Sequence, residues 1–174
     1  TLKIKESTEM NIENQYVKLN VEKYGGMLCA PWFDRPLSVA GRIIVKDGNR
    51  LTTKLINVDR DLLMIPNLAI HMNREVTDGY KYNIQKDMLP LYRMSNSGKA
   101  FKEMIAEEAG VSVDQIKGMD LFLYNRMEGT VWGCDGEFIS APRLDDLQCA
   151  FTSTMALLNS ESDRCIPVVA VFDN

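Results

Sequence analysis

With 174 residues, 45% hydrophobic and 25% charged, the chain has room for one ordinary globular domain, or for one domain with parts of another. Its 20 Lys and Arg against 24 Asp and Glu leave a net charge of −4, and the basic residues are scattered, which excludes the positive stripe of a nucleic-acid binder. No apolar run approaches the roughly 20 residues that cross a bilayer, and no apolar leader follows Thr1, so a soluble cytoplasmic protein without a membrane partner is expected.

Residues 2–5 and 16–21 alternate apolar and polar, the period-two signature of half-buried strands. Gly25-Gly26 breaks that pattern, and Pro31 and Pro36 keep the next stretch irregular. Residues 39–46 read as a strand and 50–58 as its return, joined at Asp47-Gly48, a dipeptide that tolerates the positive φ of a tight hairpin turn. The apolar run 62–72 is interrupted by Pro66, which cannot donate to a ladder and marks an edge or a break. Asp78-Gly79, Pro90 and Ser95-Asn96-Ser97-Gly98 carry loop chemistry.

A helix is expected over 99–109, where Phe101, Met104, Ile105 and Ala109 fall on one face and Gly110 can end it in a left-handed conformation. Ser112 is placed to cap a short helix through Ile116, and 120–125 reads as a strand. A second helix is expected over 145–158, with Leu144, Leu147, Phe151, Met155 and Leu158 on one face. The continuous apolar run 168–172 suits a strand covered on both faces of an α/β sheet. The character of the chain changes near 132–136, from mostly β to turn, helix and buried strand. Because it opens in mid-strand and stops at the close of another strand, the chain is expected to be an internal segment of a longer protein.

Self-contained catalysis has little to build on. The single histidine, His71, sits in an apolar run, where a structural role competes with a catalytic one. The four cysteines, Cys29, Cys134, Cys149 and Cys165, form no CxxC pair, so zinc ribbons are not expected and each reads as a plain free thiol, Cys149 as a small buried hydrophobe. No phosphate-binding glycine loop and no HExxH occurs. The carboxylate pair Asp145-Asp146 stands where a loop enters the second helix. An ionised carboxylate is stabilised there by the backbone amides and suits a divalent metal, whereas the plainer alternative is a helix cap.

Four stretches carry a resemblance. Tyr24-Gly25-Gly26 followed by Trp32-Phe33-Asp34-Arg35-Pro36-Leu37-Ser38-Val39-Ala40-Gly41-Arg42 resembles the YGG…WFDRxLxxAGR stretch of the aspartyl aminopeptidases. Ile65-Pro66-Asn67-Leu68-Ala69-Ile70-His71-Met72-Asn73-Arg74 resembles their IPxLAIHxxR segment, and Glu137-Phe138-Ile139-Ser140-Ala141-Pro142-Arg143-Leu144-Asp145-Asp146-Leu147 is similar to their EFIxxxRLDNL. The closing Val171-Phe172-Asp173-Asn174 resembles the segment before that family's Glu-Glu pair. The matches stand in the family's order and span nearly the whole chain.

The resemblance implies an α+β chain: a mostly β inserted dimerisation and lid domain with one or two helices, flanked by pieces of an α/β zinc-exopeptidase domain. Residues 1–22 would be the edge of the catalytic domain, 23–133 the dimerisation and lid domain, and 134–174 a strand-helix-strand segment of the catalytic domain. It implies a di-zinc aminopeptidase acting on peptide substrates, with Asp145 as the carboxylate bridging two zinc ions and Asp146 in place of the family's Asn. His71 would sit at the tip of the lid and contact substrate and the developing oxyanion in the partner subunit. Homodimers would build a twelve-subunit shell. The remaining zinc ligands and the general-base Glu would lie outside these residues, so the chain alone is expected to bind metal weakly and to be catalytically inactive. The alternative is a non-catalytic, stand-alone interaction module. A cysteine-based enzyme using His71 ranks last.

Overall fold

Alternating sequence at the amino-terminal end extends into long strands. In the computed structural model, which describes residues 1–172, β1 (Leu2–Ile12) pairs antiparallel with β2 (Tyr16–Lys23). Leu2, Ile4, Val17, Leu19 and Val21 point to one side and are buried, as period two requires. β3 (Leu37–Asp47) and β4 (Arg50–Asn57) form the expected hairpin, with Gly48 and Asn49 between the paired Asp47 and Arg50. β6 (Ile116–Asn125) lies on the other side of β3, in one register from Leu37↔Asn125 to Ile44↔Gly118 and shifted by a residue at Val45↔Ile116. Two elements stand where only loop chemistry was read: the short helix α1 (Ile84–Asp87) and β5 (Leu91–Met94), a strand on β2. The six-stranded sheet has the order β4-β3-β6-β1-β2-β5, and each pairing is antiparallel.

Gly41 is needed at the centre of this sheet, because a Cβ there would collide with the backbone carbonyl oxygen of Asp120 on β6. One face of the sheet is covered by α2 (Phe101–Ala109), whose Phe101, Met104, Ile105 and Ala106 join the strand residues in a single core. Fully burying Phe101 and Ile105 contributes about 1.5–3 kcal/mol each. Glu9 of β1 accepts the Phe101 N–H at 2.7 Å and an Arg93 guanidinium N–H at 3.0 Å, and Glu103 accepts from Ala100 N at 3.0 Å. The N–H groups at the start of α2, which have no partner within the helix, are thus satisfied by carboxylates from far and near. Gly110 ends the helix at φ 64°, and a 3₁₀ turn (Val113–Gln115) after Ser112 leads into β6.

The run 62–72 is broken as Pro66 implied. Leu63 and Ile65 are buried and bridge to Leu37 and Phe33, while Met64 bridges to Leu91, and the extended segment stops there.

The chain divides into two compact units, Thr1–Arg126 and Met127–Asn174. Residues 1–22 contribute β1 and most of β2 to the sheet that also holds β3, β4, β5 and β6. The second unit contains a hairpin of β7 (Thr130–Trp132) and β8 (Phe138–Ser140), with Trp132 and Phe138 rings 4.8 Å apart, then α3 (Leu144–Leu158). The 132–136 change of character falls on the end of β7 and the turn that follows it. α3 has the expected apolar face, yet Leu147, Phe151 and Leu158 are exposed, and so is Cys149, which corrects its reading as a buried hydrophobe. The run 168–172 forms no ladder among the described residues and is largely exposed, so the doubly covered strand expected there is not seen. Strand N–H and C=O groups need a neighbouring strand, and no described residue supplies one. Residues 173 and 174, part of the fourth matching stretch, lie outside the described residues.

Candidate functional site

After Pro66 the chain leaves the core and returns near Tyr80. The start of this excursion is fastened by Asp34, whose Oδ1 accepts the Asn67 backbone N–H and whose Oδ2 accepts from Asn67 Nδ2, each at 2.9 Å. Asp34 is itself fixed, since its N–H donates to the Ile65 carbonyl at 3.0 Å and its neighbour Phe33 bridges in parallel to Ile65. The return is fastened beside it: the Tyr82 ring packs on Phe33 with centroids 4.9 Å apart, and the Tyr80 hydroxyl donates to Asp87 at 3.1 Å.

His71 lies at the outer end of the excursion. The Ala69 carbonyl accepts from Met72 N at 2.8 Å and Asn73 N at 3.2 Å, which makes 69–73 a closed turn with His71 inside it. The imidazole-bearing residue is exposed, and so are Leu68 (61%), Ile70 and Met72 (75%) around it. Apolar side chains presented to solvent on a fastened loop suit contact with another surface.

Electrostatics follow from these contacts. The two N–H groups of Asn67, backbone first, hold the Asp34 carboxyl below the ordinary carboxylate range. Tyr80 is pushed up chiefly by its hydrogen bond to the Asp87 carboxylate, helped by desolvation.

Asp145 belongs to the second unit. Arg143 takes the position before α3 at φ 67°, Asp145 (φ −84°, ψ 116°) and Asp146 (φ −115°, ψ 19°) are non-helical, and the peptide between them is cis. The helix start carries no side-chain cap hydrogen bond, and both carboxylates are exposed. Among the described residues no three His, Cys, Asp or Glu are grouped so as to hold a metal ion. A catalytic zinc takes three protein ligands as a rule, so the residues present do not by themselves fit one; Asp145 offers a single carboxylate. His71 and Asp145 thus stand in separate compact units. Asp34 and Asn67 were quoted in the sequence matches without a role. Their 33-residue separation hides the pair from any local spacing argument.

A model of the family described as Aminopeptidase I zinc metalloprotease (M18) matches residues 1–174. A probable M18 family aminopeptidase 2 of Clostridium acetobutylicum is 46% identical over 181 residues, covering 100% of this chain and 42% of its own length. Among solved structures, mApe1 of Chaetomium thermophilum is 33% identical with a TM-score of 0.77, covering 92% of this chain and 40% of that chain. The mApe1 dodecamer of S. cerevisiae is 26% identical with a TM-score of 0.70, over 91% of this chain and 36% of that one. The chain spans less than half the length of each relative.

Proposed function

The chain belongs to the aminopeptidase I (M18) family of zinc metalloproteases, and from that premise we propose that it serves a longer di-zinc enzyme that removes amino-terminal residues, acidic ones among them, from peptides. In this reading the β-rich unit forms homodimers and roofs the neighbouring active site, and the dimers build a twelve-subunit assembly; the S. cerevisiae relative is a dodecamer. Asp145 would supply a carboxylate shared by the two zinc ions, whose other ligands would come from outside these residues. His71 reaches the partner subunit's site, where its N–H donates a hydrogen bond to the attacked carbonyl oxygen as negative charge develops there. The observation that carries the reading is the exposed turn 69–73, fastened at its base and surrounded by solvent-facing Leu68, Ile70 and Met72.

Subunit mixing in the full-length enzyme tests it. His71→Ala should keep the assembly and the zinc content and lose on the order of 10²–10³ in turnover, as removal of one oxyanion donor does. Asp145→Ala should lose activity with the fold intact. Mixing the two under subunit exchange should restore partial activity, because some dimers then hold one site with an intact Asp145 and an intact partner histidine. No recovery despite proven exchange would show that His71 does not act across the interface.

A further inference from the structure

We propose that Asp34 is a positioning residue for turnover, holding the stem of the loop that carries His71 through its two-point attachment to Asn67. The proposal rests on the reading of His71 as a group that acts in the partner subunit's site.

The attachment has the geometry of a clamp. Two bonds of 2.9 Å from one carboxylate to the backbone N–H and the side-chain amide of the same residue fix the direction of the chain at Asn67 as well as its distance. Asp34 can serve as an anchor because its own place is set by the core. Its N–H is bonded to Ile65, Phe33 and Ile65 on either side of the bridge are buried, and its φ of 55° is a conformation that Asp adopts more readily than most residues. From Asn67 the chain needs three residues to reach His71, and the second of them, Ala69, closes the turn through its carbonyl. Little slack is left between anchor and imidazole. The other stem is held by the adjacent residue, since Tyr82 packs on Phe33. Two consecutive side chains thus set both ends of an excursion whose outer residues Leu68, Ile70, His71 and Met72 are exposed and have no core of their own. Release of the Asn67 stem would let the histidine move by more than the ångström that matters for a catalytic contact.

The test uses the full-length enzyme, with kcat, KM, sedimentation and amide hydrogen exchange of residues 66–73 measured for each variant. Asp34→Ala and Asn67→Asp, the second of which sets two carboxylates face to face, should speed exchange in 66–73. Each should also lower kcat by on the order of 10–100-fold, with the smaller change in KM and the assembly retained. The swapped pair Asp34→Asn with Asn67→Asp should restore both readouts. There an amide nitrogen at position 34 faces the carboxylate at 67, and the amide oxygen accepts the backbone N–H. In a His71→Ala background, Asp34→Ala should add no further loss of kcat. Unchanged exchange in Asp34→Ala overturns the clamp. Faster exchange with unchanged kcat overturns the positioning role, and a fully additive loss with His71→Ala overturns the route through the histidine. A fully active His71→Ala enzyme instead removes the reading of His71, and the exchange data then decide the clamp by themselves. If Asp34→Ala does not assemble, Asn67→Ala leaves the Asp34 backbone untouched and carries the same test.

Discussion

The two N–H groups that Asn67 directs at Asp34 favour the ionised carboxylate, so the folded chain binds a proton there less readily than the unfolded one. The sign of the linkage follows. The stabilisation is fully present above the ordinary carboxylate value of 3.8 and is lost as pH falls through the depressed folded value. The clamp on the His71 loop is therefore complete at neutral pH and opens only in strong acid. In a pH titration followed by NMR, the Asn67 amide should shift with a midpoint below 3.8, whereas in Asp34→Asn it should not titrate in that range. A midpoint at or above the ordinary value would mean that the carboxylate is not held by these donors in solution. Residues 32–42 and 65–74 are visible as matching stretches, and Pro66 marks the break. The contact between Asp34 and Asn67 was not visible, because it exists only once Phe33 and Ile65 have been brought side by side.

Among the elements, α2 shows how much of a helix is local. Its apolar spacing and Gly110 stop are written in the sequence, and the helix forms over Phe101–Ala109 as those signals imply. Its start is not written there, since Ala100 offers no capping side chain and the Phe101 N–H is taken by Glu9, 92 residues away. Glu9→Ala should remove that bond and the Arg93 ion pair together, lowering stability by about 1–2 kcal/mol, the range of a lost helix cap. Denaturant unfolding of the 174-residue chain checks this, and a shift of only a few tenths would show that water replaces Glu9 without loss. β5 and α1 were missed for a related reason. Leu91–Met94 is short and flanked by turn residues, and it becomes a strand by adding to the free edge of β2. Local preference is weak over four residues, and the tertiary neighbour decides.

At the scale of the whole chain, the two units differ in what covers them. The unit Thr1–Arg126 buries a continuous core under its six-stranded sheet. Met127–Asn174 contains an amphipathic helix whose Leu147, Phe151 and Leu158 face solvent. Exposed apolar side chains bind apolar dyes and contribute nothing to burial. Leu147→Ser with Phe151→Ser in the 174-residue chain should reduce dye fluorescence while changing the unfolding free energy of the sheet by no more than about 0.5 kcal/mol. A larger loss would mean that these side chains are buried in solution. No helix among the described residues is long and apolar enough to cross a membrane.

What the sequence determined by itself is what short-range periodicity and turn chemistry encode: the strands read at 2–5, 16–21, 39–46, 50–58 and 120–125, the helices read at 99–109 and 145–158, each falling on an observed element, and the membership of the M18 family. Such features depend on residues a few positions apart, so a linear reading finds them. The sheet order, with β6 inserted between β3 and β1, depends instead on which faces can be buried together. The same holds for Glu9 at the start of α2, and for Asp34 at the stem of the His71 loop. Each joins groups at least 33 residues apart, and each is formed only when the core has closed and brought the partners within hydrogen-bond distance. The tertiary structure alone decided them because a hydrogen bond is a short-range force, and only packing converts long separations in sequence into short ones in space.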